Sequence, residues 1–483
     1  MINFGPISNV VGVLLLIVGS MMLTAIPFSL YHQSGDIAPL LISAVITILA
    51  GALAWFYKFR SGAQVNKREG YLIVALGWLS MVTFGALPYV LSGVLPHPVD
   101  AFFETVSGMT TTGASVLTDI ESVPKGILFW RSMTQWLGGM GIIVLTVAIF
   151  PLLGFGGIEL FVAEAPGPTS DKLHPRIQVT AKRLWLLYVS LTAALCLLLW
   201  AEGMTFYEAI NHALTTMATG GFSTRNASIA AFPNPLMQYT LILFMFLAGT
   251  NYSMIYYMMR RKWKRVWSNE EFKVYLALVL LLAITITPIV MHHSAQDLER
   301  SFRDTLFQVV SLITTTGYVS ADYTSWGTPV LIVCVALLFL GASAGSTAGG
   351  IKIIRHIVFF KNSLNEFKKL LHPQAVIPLK LNGQPVATRI AIHILVFLLL
   401  YLSTFFAGTL IVSIMGLDFE TAIGTVATSL GNVGPGIGKV GPTDNFAWLP
   451  QDVKFVLSLL MLLGRLELFT LLVIFTPYFW KLN

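Results

Sequence analysis

Apolar runs of about 20 residues recur along the whole chain, the length an α-helix needs to cross the hydrocarbon core of a bilayer. In lipid, every backbone N–H and C=O must find its partner inside the protein, so runs of this length fold as spanning helices. Composition agrees. Of 483 residues, 55% are hydrophobic and 11% charged, against roughly a quarter charged in an ordinary soluble protein. The chain therefore reads as an all-α polytopic membrane protein. Its first apolar run, about residues 7–30, has no basic stretch ahead of it and reads as a spanning helix rather than a cleaved signal. Cys196 and Cys334 both lie inside apolar runs, where packing is expected rather than a disulfide or a metal site.

Lysine and arginine set the orientation. Lys58, Arg60, Lys67 and Arg68 form one cluster, and Lys172, Arg176, Lys182 and Arg183 a second. A third runs from Arg260 to Lys273, a fourth from Lys352 to Arg389, and Lys481 ends the chain. Placing these stretches in the cytoplasm satisfies the positive-inside rule and puts both termini there as well. The net charge of +7 is then a topology signal and gives little support to a nucleic-acid partner. The run Arg260-Arg261-Lys262-Trp263-Lys264-Arg265 suits membrane lipid headgroups, with docking of a cytosolic partner as the alternative.

Between the basic stations the apolar segments follow a pattern. Two plain helices, near residues 7–30 and 37–57, open the chain within residues 1–70. A unit then repeats over 71–165, 166–268, 269–372 and 373–483. Each unit holds a full-length helix, a segment too short to span, a polar glycine loop and another full-length helix. The loops overlay on one another: Thr110-Thr111-Thr112-Gly113-Ala114-Ser115, Ala218-Thr219-Gly220-Gly221-Phe222, Thr315-Thr316-Gly317-Tyr318 and Gly431-Asn432-Val433-Gly434-Pro435-Gly436. Taking Gly113, Gly220, Gly317 and Gly434 as equivalent, the spacings are 107, 97 and 117 residues. Four copies at this period predict a pseudo-fourfold arrangement of helix–pore-loop–helix repeats about one axis.

An acidic residue precedes each of those glycines: Asp100 by 13 positions, Glu208 by 12, Asp304 by 13 and Glu420 by 14. If each short segment is a half-helix entering from outside, the acid caps its N-terminus and complements the dipole there. The four negative ends then converge at membrane depth, and the acids form a rim that draws cations in. Each acid taken singly is equally well read as an ordinary cap. Glycine lets a carbonyl turn toward the axis, because it tolerates conformations that a Cβ resists. Irregular backbone at membrane depth must be buried in protein or line water, and rings of carbonyls are how a pore replaces the hydration shell of potassium. The predicted ion-lining residues are Thr111, Thr112, Gly113, Ala218, Thr219, Gly220, Thr315, Thr316, Gly317, Asn432, Val433 and Gly434.

Two further anomalies stand out. The second helix of unit three contains Gly341-Ala342-Ser343-Ala344-Gly345-Ser346-Thr347-Ala348-Gly349-Gly350. Glycine costs a helix about 1 kcal/mol relative to alanine, so this stretch is expected to break. It reads either as an intramembrane loop that obstructs the pore or as a close-packed surface of small residues. Arg465 interrupts an apolar run at 455–479. An arginine at that depth faces a pore or a partner, and the alternatives are the pore below the loops or a salt bridge to another helix. Glu467, two positions away, does not share its helix face.

The four glycine loops, the helix–pore–helix units and the two leading helices resemble the Trk/Ktr/HKT superfamily of potassium transporters, and within it the bacterial TrkH/TrkG branch. The resemblance covers nearly the whole chain. It implies potassium uptake across the bacterial cytoplasmic (inner) membrane by a channel-like subunit. It also implies a gate loop at Gly341, Gly345, Ser346, Thr347, Gly349 and Gly350, and a pore-facing arginine at Arg465. Members with serine at the first filter position tend to favour sodium, so Gly113 implies potassium as the transported ion. The fourth loop departs from the threonine-rich pattern. The resemblance further implies a homodimer resting on a cytosolic ring of nucleotide-binding RCK/KTN (TrkA-like) subunits. The chain has no Rossmann fingerprint, so no nucleotide site is expected in it.

Other readings are weaker. A cation-coupled (Na+ or H+) secondary symporter would place broken helices in paired, often inverted, repeats, whereas these four units share one orientation. A membrane enzyme would need carboxylates, histidines or a nucleophile gathered within the apolar segments, and almost no charged residue lies there. The stretch Gly434-Pro435-Gly436-Ile437-Gly438-Lys439 fails as a phosphate loop, because Val433 and Val440 stand where glycine and Ser/Thr are required. His292-His293 lacks further ligands at metal spacing.

Overall fold

The computed structural model describes residues 2–57, 66–141 and 177–481. Lys58, Arg60, Lys172, Arg176 and the expected boundary between the first two repeats near residue 165 lie outside the described residues. Two antiparallel helices, Phe4–Leu23 and Ile37–Phe56, lead the chain. They touch through glycine: a Cβ on Gly12 would come within 2.6 Å of Gly51 O, and one on Gly51 within 2.9 Å of Gly12 O. With no hydrophobic drive between helices in lipid, such small-residue contact is what lets two backbones approach.

Four units follow, each with a short helix between longer ones. The short helices are Pro98–Met109, Phe206–Met217, Leu298–Ile313 and Phe419–Gly431, with 12, 12, 16 and 13 residues. A residue advances an α-helix about 1.5 Å, so none can cross a bilayer, and each enters and stops. The helices before them are the spans Arg68–Leu91, Lys182–Ala201, Glu270–Ser294 and Thr388–Ile414. Their outer faces carry exposed apolar side chains, such as Leu281, Ile284, Leu399, Phe406 and Leu410. That is the surface of a chain whose solvent is hydrocarbon. Regular strand is confined to two-residue pairs among the described residues.

The helix after each loop is interrupted: in unit three at the glycine-rich stretch, as expected, and in the other units where sequence leads one to expect a full-length rod. In unit two it is Pro235–Ala248 followed by Tyr252–Met259, bent by 112°. In unit four it is Gln451–Arg465 followed by a second piece at 469–475, bent by 107°. Unit three stops at Leu337 and resumes at Ile353. In unit one, Lys125–Trp136 runs into a wide turn, Leu137–Gly141, where Gly139 has the non-helical ψ of −121°. The breaks in units one, two and four share a cause. Each of those three helices presses a glycine against the C-terminal end of a short helix: Gly138 on Met109 O, Gly249 on Thr314 and Gly464 on Leu430 O, where a Cβ would overlap. Beyond that contact the rod cannot continue straight.

Candidate ion pathway

The loops after the short helices share one backbone conformation. Thr111, Thr219, Thr315 and Asn432 are left-handed, with φ of 55°, 55°, 55° and 54°. Two residues on, Gly113, Gly221, Gly317 and Gly434 have φ of 87°, 77°, 75° and 100°, which glycine adopts freely. The second loop is therefore shifted by one from the sequence overlay. Gly221, not Gly220, is the counterpart of Gly113, and Gly220 stands where the first and third loops have Thr112 and Thr316. Two adjacent glycines left the register open to a one-residue error.

These glycines also locate the loops relative to one another. A Cβ on Gly113 would overlap Gly220 O, one on Gly221 would overlap Thr316 O, and one on Gly317 would overlap Val433 O. A Cβ on Gly434 would lie 2.7 Å from Thr112 O, which closes the circle. Loop one thus rests on loop two, two on three, three on four, and four on one. The carbonyls of Thr112, Gly220, Thr316 and Val433 form the ring, and only glycine leaves room for it.

Side chains fasten each loop to its neighbour. Asn432 Nδ2 donates to Thr112 Oγ1 at 3.0 Å. The Tyr318 hydroxyl lies 2.5 Å from Thr215 Oγ1, accepts from Thr216 Oγ1 at 3.1 Å and donates to His212 O at 3.2 Å. The Arg131 guanidinium stacks 3.5 Å above the Phe222 ring. Arg131 also donates to Glu104 at 2.7 Å and to Ser223 O at 3.0 Å, and Glu104 accepts from Val116 N at 2.8 Å. Both members of this ion pair are buried. Glu104, Arg131 and Tyr318 were not among the site residues expected from sequence, because their roles depend on contacts between units.

The acidic rim needs correction. Asp100 and Glu208 do sit in the first turn of their short helices, Glu208 in a capping box with Thr205. Asp304 does not. The third short helix begins at Leu298, so Asp304 lies in its second turn and Glu299 occupies the first. In the fourth, Glu420 is in the first turn, but the N-cap is Asp418, which accepts from Thr421 N at 3.2 Å and its hydroxyl at 2.9 Å. Those two bonds hold the Asp418 carboxyl below its ordinary pKa. Nor are the rim acids bare. Lys454 Nζ is 2.8 Å from Asp100, Arg225 NH2 2.5 Å from Glu208, and Arg300 Nε 4.0 Å from Asp304. Glu420 is exposed and has no ion pair among the described residues.

The glycine-rich stretch of unit three is a loop, closed at its base by parallel pairing of Leu340 with Ile351 and Gly341 with Lys352. Its tip touches the inner ends of the ring. Gly349 N donates to Thr315 Oγ1 at 2.7 Å, and Thr347 Oγ1 donates to Met217 O at 3.1 Å and Ala248 O at 3.2 Å. A Cβ on Gly349 would stand 2.8 Å from Asn432 Cβ. Unit two holds its flank: Asn251 Nδ2 donates to Ala344 O at 2.7 Å, and Tyr252 N to Gly345 O at 3.1 Å. The buried Glu271 accepts from Ala344 N at 2.7 Å.

Arg465 joins this loop to unit one. Its NH1 donates to Thr347 O at 2.8 Å, and its NH2 donates to Gly138 O at 2.6 Å and Gly139 O at 3.3 Å. Glu467 turns the other way and pairs with Arg355. Lys352 and Arg355, placed by sequence in a cytoplasmic basic stretch, are instead buried, and Lys352 Nζ donates to Ala348 O within the loop. Lys352, Arg355 and Arg465 thus gather at the loop and its base, with Arg355 paired to Glu467.

Four loops closed into one ring, each carried by a helix–half-helix–helix unit of a single chain, define a membrane protein of the four-repeat pore-loop class. Residues 38–481 match the model of the TrkH family, described as cation transport protein, and the chain belongs to that family. It is 40% identical to the Trk system potassium uptake protein TrkH of Salmonella typhimurium, over 99% of this chain and 100% of that protein. It is 34% identical to the Trk system potassium uptake protein TrkG of Escherichia coli, over 98% of both. The crystal structure of the potassium transporter TrkH from Vibrio parahaemolyticus matches with a TM-score of 0.88 and 34% identity, covering 99% of this chain and 100% of that one.

Proposed function

We propose that this chain is the ion-translocating subunit of a Trk-type potassium uptake system, with the ring of loops as its selectivity filter. One observation carries the reading. The carbonyls of Thr112, Gly220, Thr316 and Val433 succeed one another around a closed circuit that tolerates no Cβ at Gly113, Gly221, Gly317 or Gly434. Carbonyls held this way can replace water around a dehydrated cation. Glycine at position 113 and the potassium named in the relatives' descriptions favour K+. The loop at 341–350 is the gate, with Gly341, Gly345, Ser346, Thr347, Gly349 and Gly350 as its framework. Its contacts with Thr315, Met217 and Arg465 support this, since it is bonded to the residues an ion would pass next.

In this reading the short helices enter from outside the bacterial inner membrane, both termini are cytoplasmic, and the repeats divide near residues 70, 165, 268 and 372. The chain works as a homodimer, and a cytosolic RCK/KTN partner gates it through the basic stretches at 260–273 and 361–389. The measurement is K+, Rb+ and Na+ flux into proteoliposomes for wild type and Gly113→Ser. Wild type should favour K+ and Rb+, and the serine variant should admit more Na+. Equal K+ and Na+ flux through wild type, or a serine variant with unchanged selectivity, would refute it. A fixed stoichiometry of H+ or Na+ moved with K+ would favour the coupled symporter instead.

A further inference from the structure

Loops one and three are braced from within. The hydroxyls of Thr110 and Thr112 lie 2.7 Å apart, and those of Thr314 and Thr316 2.8 Å apart. Loop two has Ala218 and Gly220 at those positions and cannot form the brace. A side chain from another unit occupies the space. Gln135, buried in the helix Lys125–Trp136 of unit one, donates from Nε2 to Gly220 O at 2.6 Å and accepts at Oε1 from Phe222 N at 3.1 Å. The two bonds fix the amide's orientation, because the reverse would set acceptor against acceptor and donor against donor. A Cβ on Gly220 would overlap the Gln135 carboxamide, so the glycine and the glutamine are complementary.

We propose that Gln135 is a positioning residue for cation selectivity, acting through the Gly220 carbonyl. This rests on the reading of the ring as the filter. Gly220 O is one of the four ring carbonyls, the one that lies against Gly113. A hydrogen bond to that oxygen fixes its place and draws electron density from it. Discrimination between K+ and Na+ depends on how many carbonyls face the ion, how strong their field is and how freely they move inward. Without Gln135 the Gly220 carbonyl is free to follow the smaller ion. The sites that loops one and three set with their own hydroxyls, loop two sets with a residue borrowed from the neighbouring unit.

The experiment compares K+ and Na+ flux in proteoliposomes for wild type, Gln135→Ala, Gln135→Met, Gly220→Thr and Gly113→Ser. Losing one buried hydrogen bond corresponds to a change of about tenfold, so Gln135→Ala should lower the K+/Na+ ratio by about that factor. Gly220→Thr displaces the glutamine, and with Ala218 beside it restores no hydroxyl pair, so it should also lower the ratio. A Gly113→Ser effect with an unchanged ratio in Gln135→Ala overturns the proposal and spares the filter. No effect from either substitution overturns both. Should Gln135→Ala fail to fold, Gln135→Met fills the same space without the amide; a lowered ratio in that variant supports the proposal, and an unchanged one refutes it.

Discussion

Thr347 offers the sharpest test of the gate. Its hydroxyl donates to Met217 O and Ala248 O, and its carbonyl accepts from Arg465. Valine has nearly the same shape but no donor, so Thr347→Val removes the hydroxyl bond and leaves the Arg465 contact in place. The hydroxyl bond exists only while the loop is docked against the ring. A buried hydrogen bond contributes about 1 kcal/mol net, and leaving buried acceptors unpaired adds about as much again. The docked state therefore loses about 2 kcal/mol relative to an undocked one, and its population falls about thirtyfold against it. Where the docked state dominates, K+ flux through purified protein should rise by about that factor. The K+/Na+ ratio should not move, because no ring carbonyl is touched. Tracer uptake into proteoliposomes with matched protein content reads both quantities. Unchanged or reduced K+ flux in a correctly folded variant would refute the assignment of 341–350 as the gate.

Three other expectations follow from the same geometry. Gly221→Ala should abolish uptake, since it meets Thr316 O at a left-handed position, whereas Gly220→Ala meets only a flexible side chain and should retain part of it; equal loss would refute the corrected register. Glu104→Gln should destabilise the detergent-solubilised protein by about 3–5 kcal/mol through the stranded Arg131 charge, and adding Arg131→Met should recover part of the melting temperature; a neutral Glu104→Gln would sink this. Glu420→Gln should slow uptake at low ionic strength more than Asp100→Asn does, because Asp100 is already paired with Lys454; the reverse order in initial rates would refute it.

What could be read from the chain alone was what is local in it. The four loops stand out because a left-handed residue followed two positions later by glycine leaves a compositional trace within four residues, as in Thr315-Thr316-Gly317. The doublet Gly220-Gly221 defeats that trace, because either glycine satisfies it and only packing against Thr316 O chooses. The breaks in the helices after loops two and four left no such mark. Residues 235–259 and 451–475 read as single runs interrupted by polar residues such as Thr250-Asn251 and Arg465, and the bends arise where Gly249 and Gly464 meet the ends of short helices belonging to distant segments. Asp304 was misplaced for a different reason: the third short helix is extended at its outer end, at Leu298, by polar residues that apolar spacing does not count. Gln135, Glu104 and Arg131 are ordinary polar residues in sequence, and the bonds from Arg131 and Gln135 that tie them together and to loop two span 27 to 92 positions.

The single-chain design also explains why the ring is fourfold in backbone and not in side chains. A pore made of identical subunits must repeat every contact. Here each loop is free to specialise, and the contacts follow unit order. Loop one receives the Asn432 amide, and loop two takes its brace from Gln135 of unit one. Loop three reaches back to unit two through Tyr318 and carries the Thr315 hydroxyl that accepts from Gly349 N of the 341–350 loop. Loop four sets Asn432 beside the same Gly349. Charge is divided in the same way. Lys454, Arg225 and Arg300 offset three of the rim acids, so most of the attraction for a cation must come from the carbonyls and the short-helix C-termini. Arg465, bonded to Thr347 O, brings positive charge to the 341–350 loop. On the proposed reading an ion held in the ring would be favoured there and opposed immediately below, and that barrier would fall only if Arg465 moved away with the loop.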